Sequence, residues 1–134
     1  MSVFTAAEIE YLAGQRLGRL ATVNAAGEPH VVPVGFHYNA ELDTIDIGGH
    51  GIGKSRKFRD AARGGRVAFV IDDVLPPWQV RGIEVRGHAA ALSEGGQHIR
   101  PNFDPELIRL TPARIISWGI DTHEMGQTNS RTVG

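Results

Sequence analysis

Lysine occurs in one short segment of this chain, and the residue types around it are those of an anion-binding site. The 134 residues include two lysines, both within the cluster Lys54-Ser55-Arg56-Lys57, which follows the glycine-rich residues 48–53. Glycines let backbone N–H groups approach a phosphate, and a helix N-terminus adds unpaired donors and a partial positive charge. Lysine and arginine add charge-assisted hydrogen bonds. The cluster therefore predicts that the protein holds a phosphorylated small molecule.

The cluster differs from the common phosphate-binding loops. Only three residues separate Gly49 from Gly53, so the spacing of a Walker loop is missing. A dinucleotide fingerprint would need a βαβ context and a ribose-binding acid, and the sequence has neither. Nucleoside triphosphate hydrolysis is therefore not favoured. The alternative to a ligand site is an ordinary solvated helix face, which Arg59 and Arg63 would extend.

Other catalytic chemistries find little support in the residue types. The chain has no cysteine, which excludes thiol redox chemistry and cysteine-ligated metals. The pair Asp72-Asp73 is predicted to serve as a turn and capping pair, and no Ser-His-Asp arrangement accompanies it. The histidines show no metal-ligand spacing, so no metal is predicted. The six are His30, His37, His50, His88, His98 and His123, of which only His50 lies inside the anion-binding segment.

The composition limits the class of protein. A length of 134 residues suggests one domain with a modest core, and a net charge of −1 gives no basic field for nucleic acid. No stretch of about 18 apolar residues exists to span a membrane, and the N-terminal residues lack the regions of a signal peptide. We therefore expect a cytoplasmic protein that binds neither nucleic acid nor a membrane.

The elements that must position the basic cluster are mostly strands. A capping box at Thr5-Ala6-Ala7-Glu8 predicts a first short helix, and a second helix is predicted over 54–63. Hairpin-length connections favour an antiparallel barrel or sandwich over parallel βαβ units. Strands are predicted over 17–24, 29–38, 44–47, 66–71 and 80–92, followed by one bent strand or a strand pair broken at Pro112 over 107–120.

Three further features concern the site and the chain's end. Pro33 cannot donate a ladder hydrogen bond, which implies an edge, a bulge or an interruption in its strand. Trp78 lies beside two prolines on a predicted loop, where an exposed aromatic marks an interface or a stacking platform. Arg81 is predicted either to reach a ligand or to form a cross-strand ion pair. The polar residues 121–134 have no packed pattern and are predicted to be a mobile tail after a domain formed by 1–120.

The order of motifs resembles the pyridoxamine 5′-phosphate oxidase-like, flavin-binding split β-barrel superfamily. Within it, the chain is similar to the small actinobacterial branch that uses coenzyme F420, a deazaflavin. No single motif carries the resemblance, which rests on their order over roughly residues 5–120. The matching segments are Arg19-Leu20-Ala21-Thr22-Val23, Gly27-Glu28-Pro29, Val32-Pro33-Val34-Gly35-Phe36, Asp46-Ile47-Gly48-Gly49, Lys54-Ser55-Arg56-Lys57, Val67-Ala68-Phe69-Val70-Ile71-Asp72-Asp73, Pro77-Trp78, Arg81-Gly82-Ile83-Glu84-Val85-Arg86-Gly87 and Pro112-Ala113-Arg114-Ile115-Ile116-Ser117-Trp118-Gly119.

The resemblance implies both a mainly β fold and the position of a cofactor site. The fold is a six-stranded antiparallel split β-barrel with short helices, forming a homodimer whose cofactor lies in a groove between the subunits. Carried over by position, the residues that would hold the cofactor phosphate are Ser55, Arg56 and Lys57, with Lys54 nearby. The residues that would line the ring are Val32, Pro33 and Val34, with Gly48 and Gly49 beside the ribityl chain and His50 next to them. The residues that would come from the partner subunit are Trp78, Gln79 and Arg81.

The resemblance also implies a reaction, namely hydride transfer from the C5 of reduced F420 to an electron-poor double bond of a small organic substrate. An FMN-dependent oxidoreductase and a non-catalytic flavin- or deazaflavin-binding protein are the alternatives. Vitamin B6 oxidation is not favoured, because the segment with substrate-phosphate arginines found in pyridoxamine phosphate oxidases is not seen. Pro33 also removes a backbone donor on the ring-lining strand. No catalytic side chain is assigned, and the proton donor is left between water and His50.

Overall fold

The computed structural model describes residues 1–121 and 126–134, so His123 and part of the predicted tail lie outside the described residues. Its helices are α1 (Ala6–Ala13), α2 (Arg56–Ala62) and α3 (Gly96–Ile99), with a 3-10 turn at Ile52–Lys54. Its strands are β1 (Leu17–Val23), β2 (Pro29–Asn39), β3 (Thr44–Gly48), β4 (Arg66–Leu75), β5 (Gln79–Leu92), β6 (Leu107–Trp118) and β7 (Thr128–Thr132).

The first six strands form a closed antiparallel barrel, which confirms the predicted fold class. Neighbouring strands follow the order β3-β2-β1-β4-β5-β6, and β6 pairs again with β3 to close the barrel. Every pairing is antiparallel, as hairpin-length connections require. β7 lies outside the barrel, on the remaining edge of β6.

The barrel interior is filled by alternate residues of each strand. In β4, Val67, Phe69 and Ile71 point inward and are buried, while the residues between them face outward. Ile83 and Val85 of β5 meet them from the neighbouring strand. Helix α1 begins at the predicted capping box, in which Thr5 and Glu8 cap each other.

Strand β6 is one continuous strand, which resolves the alternatives at Pro112. The pairing of β5 with β6 shifts register between Arg86 and Gly87, opposite Pro112. A Cβ on Gly87 would lie 2.0 Å from the Thr111 carbonyl oxygen, so this irregularity admits only glycine.

The interpretation of Asp72-Asp73 as a turn pair is wrong. β4 continues through both residues to Leu75, and the turn into β5 lies at residues 76–78. Each carboxylate finds a cation within the sheet, Arg19 for Asp72 and Arg81 for Asp73. Both aspartates therefore lie in the long β4–β5 hairpin, which extends beyond the start of β1, and arginines of the sheet balance their charges.

The prediction that the tail has no packed pattern is wrong for Thr128–Thr132. These residues form β7 and pair with the outer edge of β6 from Arg114 to Trp118. The strand is polar, and the one side chain that reaches the interior is that of Arg131, bound to buried Glu8. The sequence of β7 therefore shows no hydrophobic alternation from which a strand could have been predicted. Within the described residues, no helix has the length and apolar character needed to cross a membrane.

Candidate functional site

Strand β3 delivers the chain into a tight turn that displays the basic cluster. Gly48, its last residue, pairs with Gly35 of β2. Gly51 then takes a left-handed conformation with φ of 68°, which glycine adopts without steric cost. The N–H of Lys54 donates to the Gly51 carbonyl at 3.1 Å, and Ser55 ends the turn as the N-cap of α2. The segment predicted as one helix is therefore a 3-10 turn followed by a seven-residue helix.

The cations of the cluster have no partner in the described part of the chain. The side chains of Lys54, Arg56 and Lys57 form neither a hydrogen bond nor an ion pair there, and the side chain of Arg59 behaves likewise. Most other basic side chains are engaged. Those that bind a carboxylate are Arg19, Arg63, Arg81, Arg86, Arg109 and Arg131. Unpaired positive charge is thus concentrated where the sequence predicted an anion site.

The hydroxyl of Ser55 has a structural task in this arrangement. Its Oγ accepts a hydrogen bond from the Phe58 N–H at 3.2 Å and donates to the Ile52 carbonyl at 2.6 Å. The hydroxyl thereby fixes the junction between the 3-10 turn and α2. The capacity to bind an anion therefore resides mainly in the three cationic side chains, and the role of Ser55 toward a phosphate stays a prediction.

Residues 99–106, here called the cover segment, lie over the glycine-rich turn. A Cβ on Gly48 would lie 2.9 Å from Cδ2 of Phe103 and 3.1 Å from Cδ1 of Ile99, so these two side chains fill the space above Gly48. The Phe103 ring also meets the His50 ring edge-on, with centroids 5.7 Å apart. A Cβ added to Gly49 would meet no heavy atom within 4 Å, so the backbone there is open to a ligand. Of the two predicted glycines, only Gly49 is open to a ligand as the chain stands.

Two carboxylates of the cover segment approach the turn itself. Asp104 Oδ2 accepts the Gly51 N–H at 2.6 Å, and the Asp104 N–H donates to the Gly49 carbonyl at 3.2 Å. A Cβ on Gly53 would lie 2.5 Å from Glu106 Oε2. Sequence reasoning missed both residues, because the contacts join positions about fifty residues apart and the segment carries no periodic pattern.

The predicted ring-lining residues of β2 differ in their accessibility. The side chains of Val32 and Pro33 are exposed, whereas Val34 is buried in the core and offers only its backbone to the surface. Pairing of β2 with β3 begins at Gly35, so Pro33 has only β1 beside it among the described strands. Its missing N–H therefore lies on an edge portion of the strand, one of the three arrangements that the sequence allowed.

The hairpin residues Trp78, Gln79 and Arg81 lie apart from the basic cluster. Trp78 is 67 % exposed at the tip, and none of the three forms a hydrogen bond or ion pair with residues 54–57 in the described ranges. Arg81 binds Asp73 through two hydrogen bonds of 2.8 and 2.9 Å, the cross-strand ion pair that was one of the alternatives. Those hydrogen bonds hold the pKa of Asp73 below its ordinary value. Arg81 also lies 4.9 Å from the centre of the Tyr11 ring.

A cationic cavity of about 360 Å³ adjoins the basic cluster, between α2 and the β1–β2 turn. It is lined by Arg56, Arg59 and Arg63, which lie on one face of α2, and by buried Asp60. One Asp60 oxygen binds Arg63, and the other has no hydrogen-bond partner among the described residues. No group of three potential metal-ligating side chains assembles within residues 1–121 or 126–134.

Comparisons with known proteins agree with this architecture. Residues 4–119 match the family model described as "Pyridoxamine 5'-phosphate oxidase". The chain is 52 % identical over 120 residues to a 5a,11a-dehydrotetracycline/5a,11a-dehydrooxytetracycline reductase of Streptomyces rimosus, covering 88 % of this chain and 84 % of the relative.

Solved structures share the fold at low identity. A conserved hypothetical protein of Mycobacterium tuberculosis superposes with a TM-score of 0.68 at 21 % identity, covering 94 % of each chain. An FAD-binding protein of Mycobacterium smegmatis superposes with a TM-score of 0.65 at 20 % identity, covering 88 % of this chain and 97 % of that one.

Proposed function

Because the chain belongs to the pyridoxamine 5′-phosphate oxidase family, we propose that it is an oxidoreductase that uses the deazaflavin coenzyme F420 to reduce an electron-poor double bond of a small organic substrate. The family and the named reductase support an oxidoreductase with a flavin-type cofactor. The observation that carries the proposed activity is the 52 % identity to a reductase of dehydrotetracyclines, whose name describes an unsaturated ring compound. By analogy with that reductase, the proposed substrate is a conjugated, polycyclic molecule.

The residues present fit a phosphorylated, ring-bearing cofactor. The unpaired cations Lys54, Arg56 and Lys57 suit a phosphate, and the open backbone at Gly49 allows a polyol chain to approach. Exposed Val32 and Pro33 lie on β2, the strand that pairs with β3 just before this turn. Their side chains point to opposite faces of the strand, so a flat ring would contact one of the two together with the backbone between them. The bound deazaflavin would supply the hydride.

The chain's own residues would bind and orient the cofactor. Arg56 and Lys57 would hold the phosphate by charge-assisted hydrogen bonds, and Lys54 would add a third positive charge. Ser55 would keep these side chains in register, because its hydroxyl ties the turn to α2. His50, held against Phe103, is the titratable side chain of the glycine-rich segment and would be available to a developing charge on the substrate.

We further propose a homodimer in which an exposed sheet face meets its own copy. Leu17 and Val31 are 63 % and 66 % exposed and lie on the same outward face of the β1–β2 pair. The charges beside them pair within the chain, as Arg19 does with Asp72, so two copies can meet without opposing like charges. The protruding hairpin with Trp78 would then reach the partner's cofactor site.

Stopped-flow mixing of the protein and reduced F420 with a panel of acceptors tests the proposed reaction. The panel holds dehydrotetracyclines, simple enones, quinones and tetrapyrroles. The proposal expects oxidation of the deazaflavin with an unsaturated ring acceptor, and no oxidation with the saturated form of the same acceptor. Tight cofactor binding without hydride transfer to any acceptor would instead identify a binding protein. FMN binding without F420 binding would overturn the choice of cofactor.

A further inference from the structure

We propose that Asp104 and Glu106 shift the selectivity of the anion site away from phosphomonoesters and toward phosphodiesters. A phosphodiester carries one negative charge, whereas a phosphomonoester carries a charge of about −1.5 to −2 at neutral pH. The inference rests on the proposed cofactor site and adds a specificity-determining role for two side chains of the cover segment.

Asp104 occupies a backbone donor of the turn that leads into the basic cluster. Its Oδ2 lies 2.6 Å from the N–H of Gly51, the left-handed glycine of the turn. The backbone of Asp104 is tied to the same turn, because its N–H donates to the Gly49 carbonyl at 3.2 Å. The carboxylate thus takes the place that a phosphate oxygen takes at a glycine-rich turn, and it adds a negative charge there.

Glu106 adds a second negative charge on the next residues of the turn. Its Oε2 would lie 2.5 Å from a Cβ on Gly53, so the carboxylate rests against the backbone that leads into the cluster. Glu106 forms no ion pair with Lys54 or with any other described cation. Both carboxylates therefore keep their charge uncompensated within the described residues.

The two charges are close enough to act on the phosphate. A 3-10 turn rises about 2 Å per residue, so the four steps from Gly51 to Ser55 span about 8 Å. This is about the screening length at physiological ionic strength. The extra charge of a monoester is attracted by Lys54, Arg56 and Lys57 and is opposed by each carboxylate. Asp104 and Glu106 therefore reduce the advantage that the cations would give to a monoester. Coulomb's law at an intermediate dielectric constant gives a change of about three- to tenfold in the ratio of diester to monoester affinity for each carboxylate.

The two candidate cofactors differ in the charge of their phosphate groups. FMN ends in a phosphomonoester, whereas F420 carries its phosphate as a diester. A site with two internal carboxylates would bind the F420 type of phosphate with less repulsion. The cover segment would therefore help to choose the cofactor without contacting the ring.

The test compares two flavins that differ only at the phosphate, riboflavin 5′-phosphate and its methyl diester. Their dissociation constants are measured by flavin fluorescence with the wild type, Asp104→Asn and Glu106→Gln. The control is Glu41→Gln, which removes the same charge from the exposed β2–β3 turn, at the far end of β3. The ratio of the two constants is the readout, because a general loss of structure at the turn weakens both ligands alike.

We expect each cover-segment variant to shift the ratio of the two constants toward the monoester by about three- to tenfold relative to the wild type. Glu41→Gln should leave the ratio unchanged. A ratio that stays constant in both cover-segment variants would overturn this inference, while binding of both flavins would leave the proposed site standing. If F420 binds the wild type but neither flavin does, this inference fails and the proposed function stands. If F420 does not bind either, the proposed function fails as well. Glu106→Gln keeps the test decisive should Asp104→Asn not fold.

Discussion

Arg131 donates hydrogen bonds to both carboxylate oxygens of Glu8, a residue 123 positions away in the sequence. The Glu8 side chain is fully buried, and Nη2 of Arg131 lies 2.5 Å from its Oε1. Ser117 donates to the other oxygen at 2.6 Å, and the Thr5 N–H completes the capping box. Strand β7 therefore supplies the positive charge that balances a buried acid in the first turn of α1.

Removing this arginine should destabilise the whole barrel. Arg131→Met leaves Glu8 buried without its cation, and breaking a buried ion pair costs about 3–5 kcal/mol. We expect urea unfolding to report a loss toward the lower end of that range, because the arginine is 25 % exposed. Arg16→Met, at an exposed arginine with no partner among the described residues, is the matched control and should change stability little.

The double variant Glu8→Gln with Arg131→Met separates charge from packing. It removes the buried charge together with its partner, so part of the lost stability should return. If Arg131→Met alone costs no more than Arg16→Met, the tail strand does not stabilise the fold.

Stability should also fall in acid through the buried carboxylates. Burial alone would raise the pKa of Asp46, but hydrogen bonds from Arg109, Asn39 and Thr44 outweigh it and lower the pKa below its ordinary 3.8. A carboxyl whose pKa is lower in the folded state stabilises the protein above its unfolded pKa, and this stability is lost as pH falls through the folded value. We expect the free energy of unfolding to be flat near neutral pH and to fall below about pH 4.5.

Asp46→Asn tests this origin of the pH dependence. The variant should be less stable at neutral pH, and its stability should decline less steeply in acid. Glu41→Gln, which alters an exposed carboxylate in the β2–β3 turn, should keep the wild-type slope. Equal slopes in Asp46→Asn and the wild type would assign the acid sensitivity to other groups.

The two neighbouring glycines Gly48 and Gly49 should respond differently to a methyl group. Gly48→Ala places a Cβ 2.9 Å from the Phe103 ring, and such overpacking costs about 1–3 kcal/mol. Gly49→Ala meets nothing within 4 Å and should leave stability nearly unchanged. Thermal unfolding of both variants gives the comparison. Equal losses would mean that the cover segment does not pack on Gly48 in solution.

A charge on the exposed sheet face should separate the proposed dimer. Val31→Asp puts a carboxylate in the centre of the apolar face, where a partner would bury it without a cation. Sedimentation equilibrium should report a dimer for the wild type and a monomer for this variant. Leu42→Asp, at an exposed leucine of the β2–β3 turn, should remain dimeric. A monomeric wild type would contradict the proposed assembly.

The parts of the fold that alternate in sequence could be predicted from it. Val67, Phe69 and Ile71 mark an inward face by their spacing alone, and the neighbouring strand β5 does the same with Ile83 and Val85. β7 lacked this signal because a polar edge strand needs no apolar face, and its one interior contact is the charge of Arg131. Asp72-Asp73 looked like a turn because the arginines that satisfy the pair lie on other strands.

The candidate site also has one part that could be predicted from the sequence and one part that could not. The basic cluster was visible because its residues are consecutive, and the structure adds that its cations lack partners in the described ranges. The cover segment was not visible, because Phe103 and Asp104 reach the glycine-rich turn only through the folded chain. Local chemistry could be predicted, whereas contacts between distant segments required the structure.

The central claim is that the unpaired cations at 54–57 hold the phosphate of F420. Fluorescence titration of F420 into the wild type and the double variant Arg56→Ala with Lys57→Ala tests it most directly, with Arg16→Ala as the control for lost charge. One charge-assisted hydrogen bond is worth about 1.5 kcal/mol or more, so the account predicts affinity weakened by at least about tenfold in the double variant. It predicts no change for Arg16→Ala. An affinity within twofold of the wild type in the double variant would reduce the cluster to a solvated helix face and contradict the account.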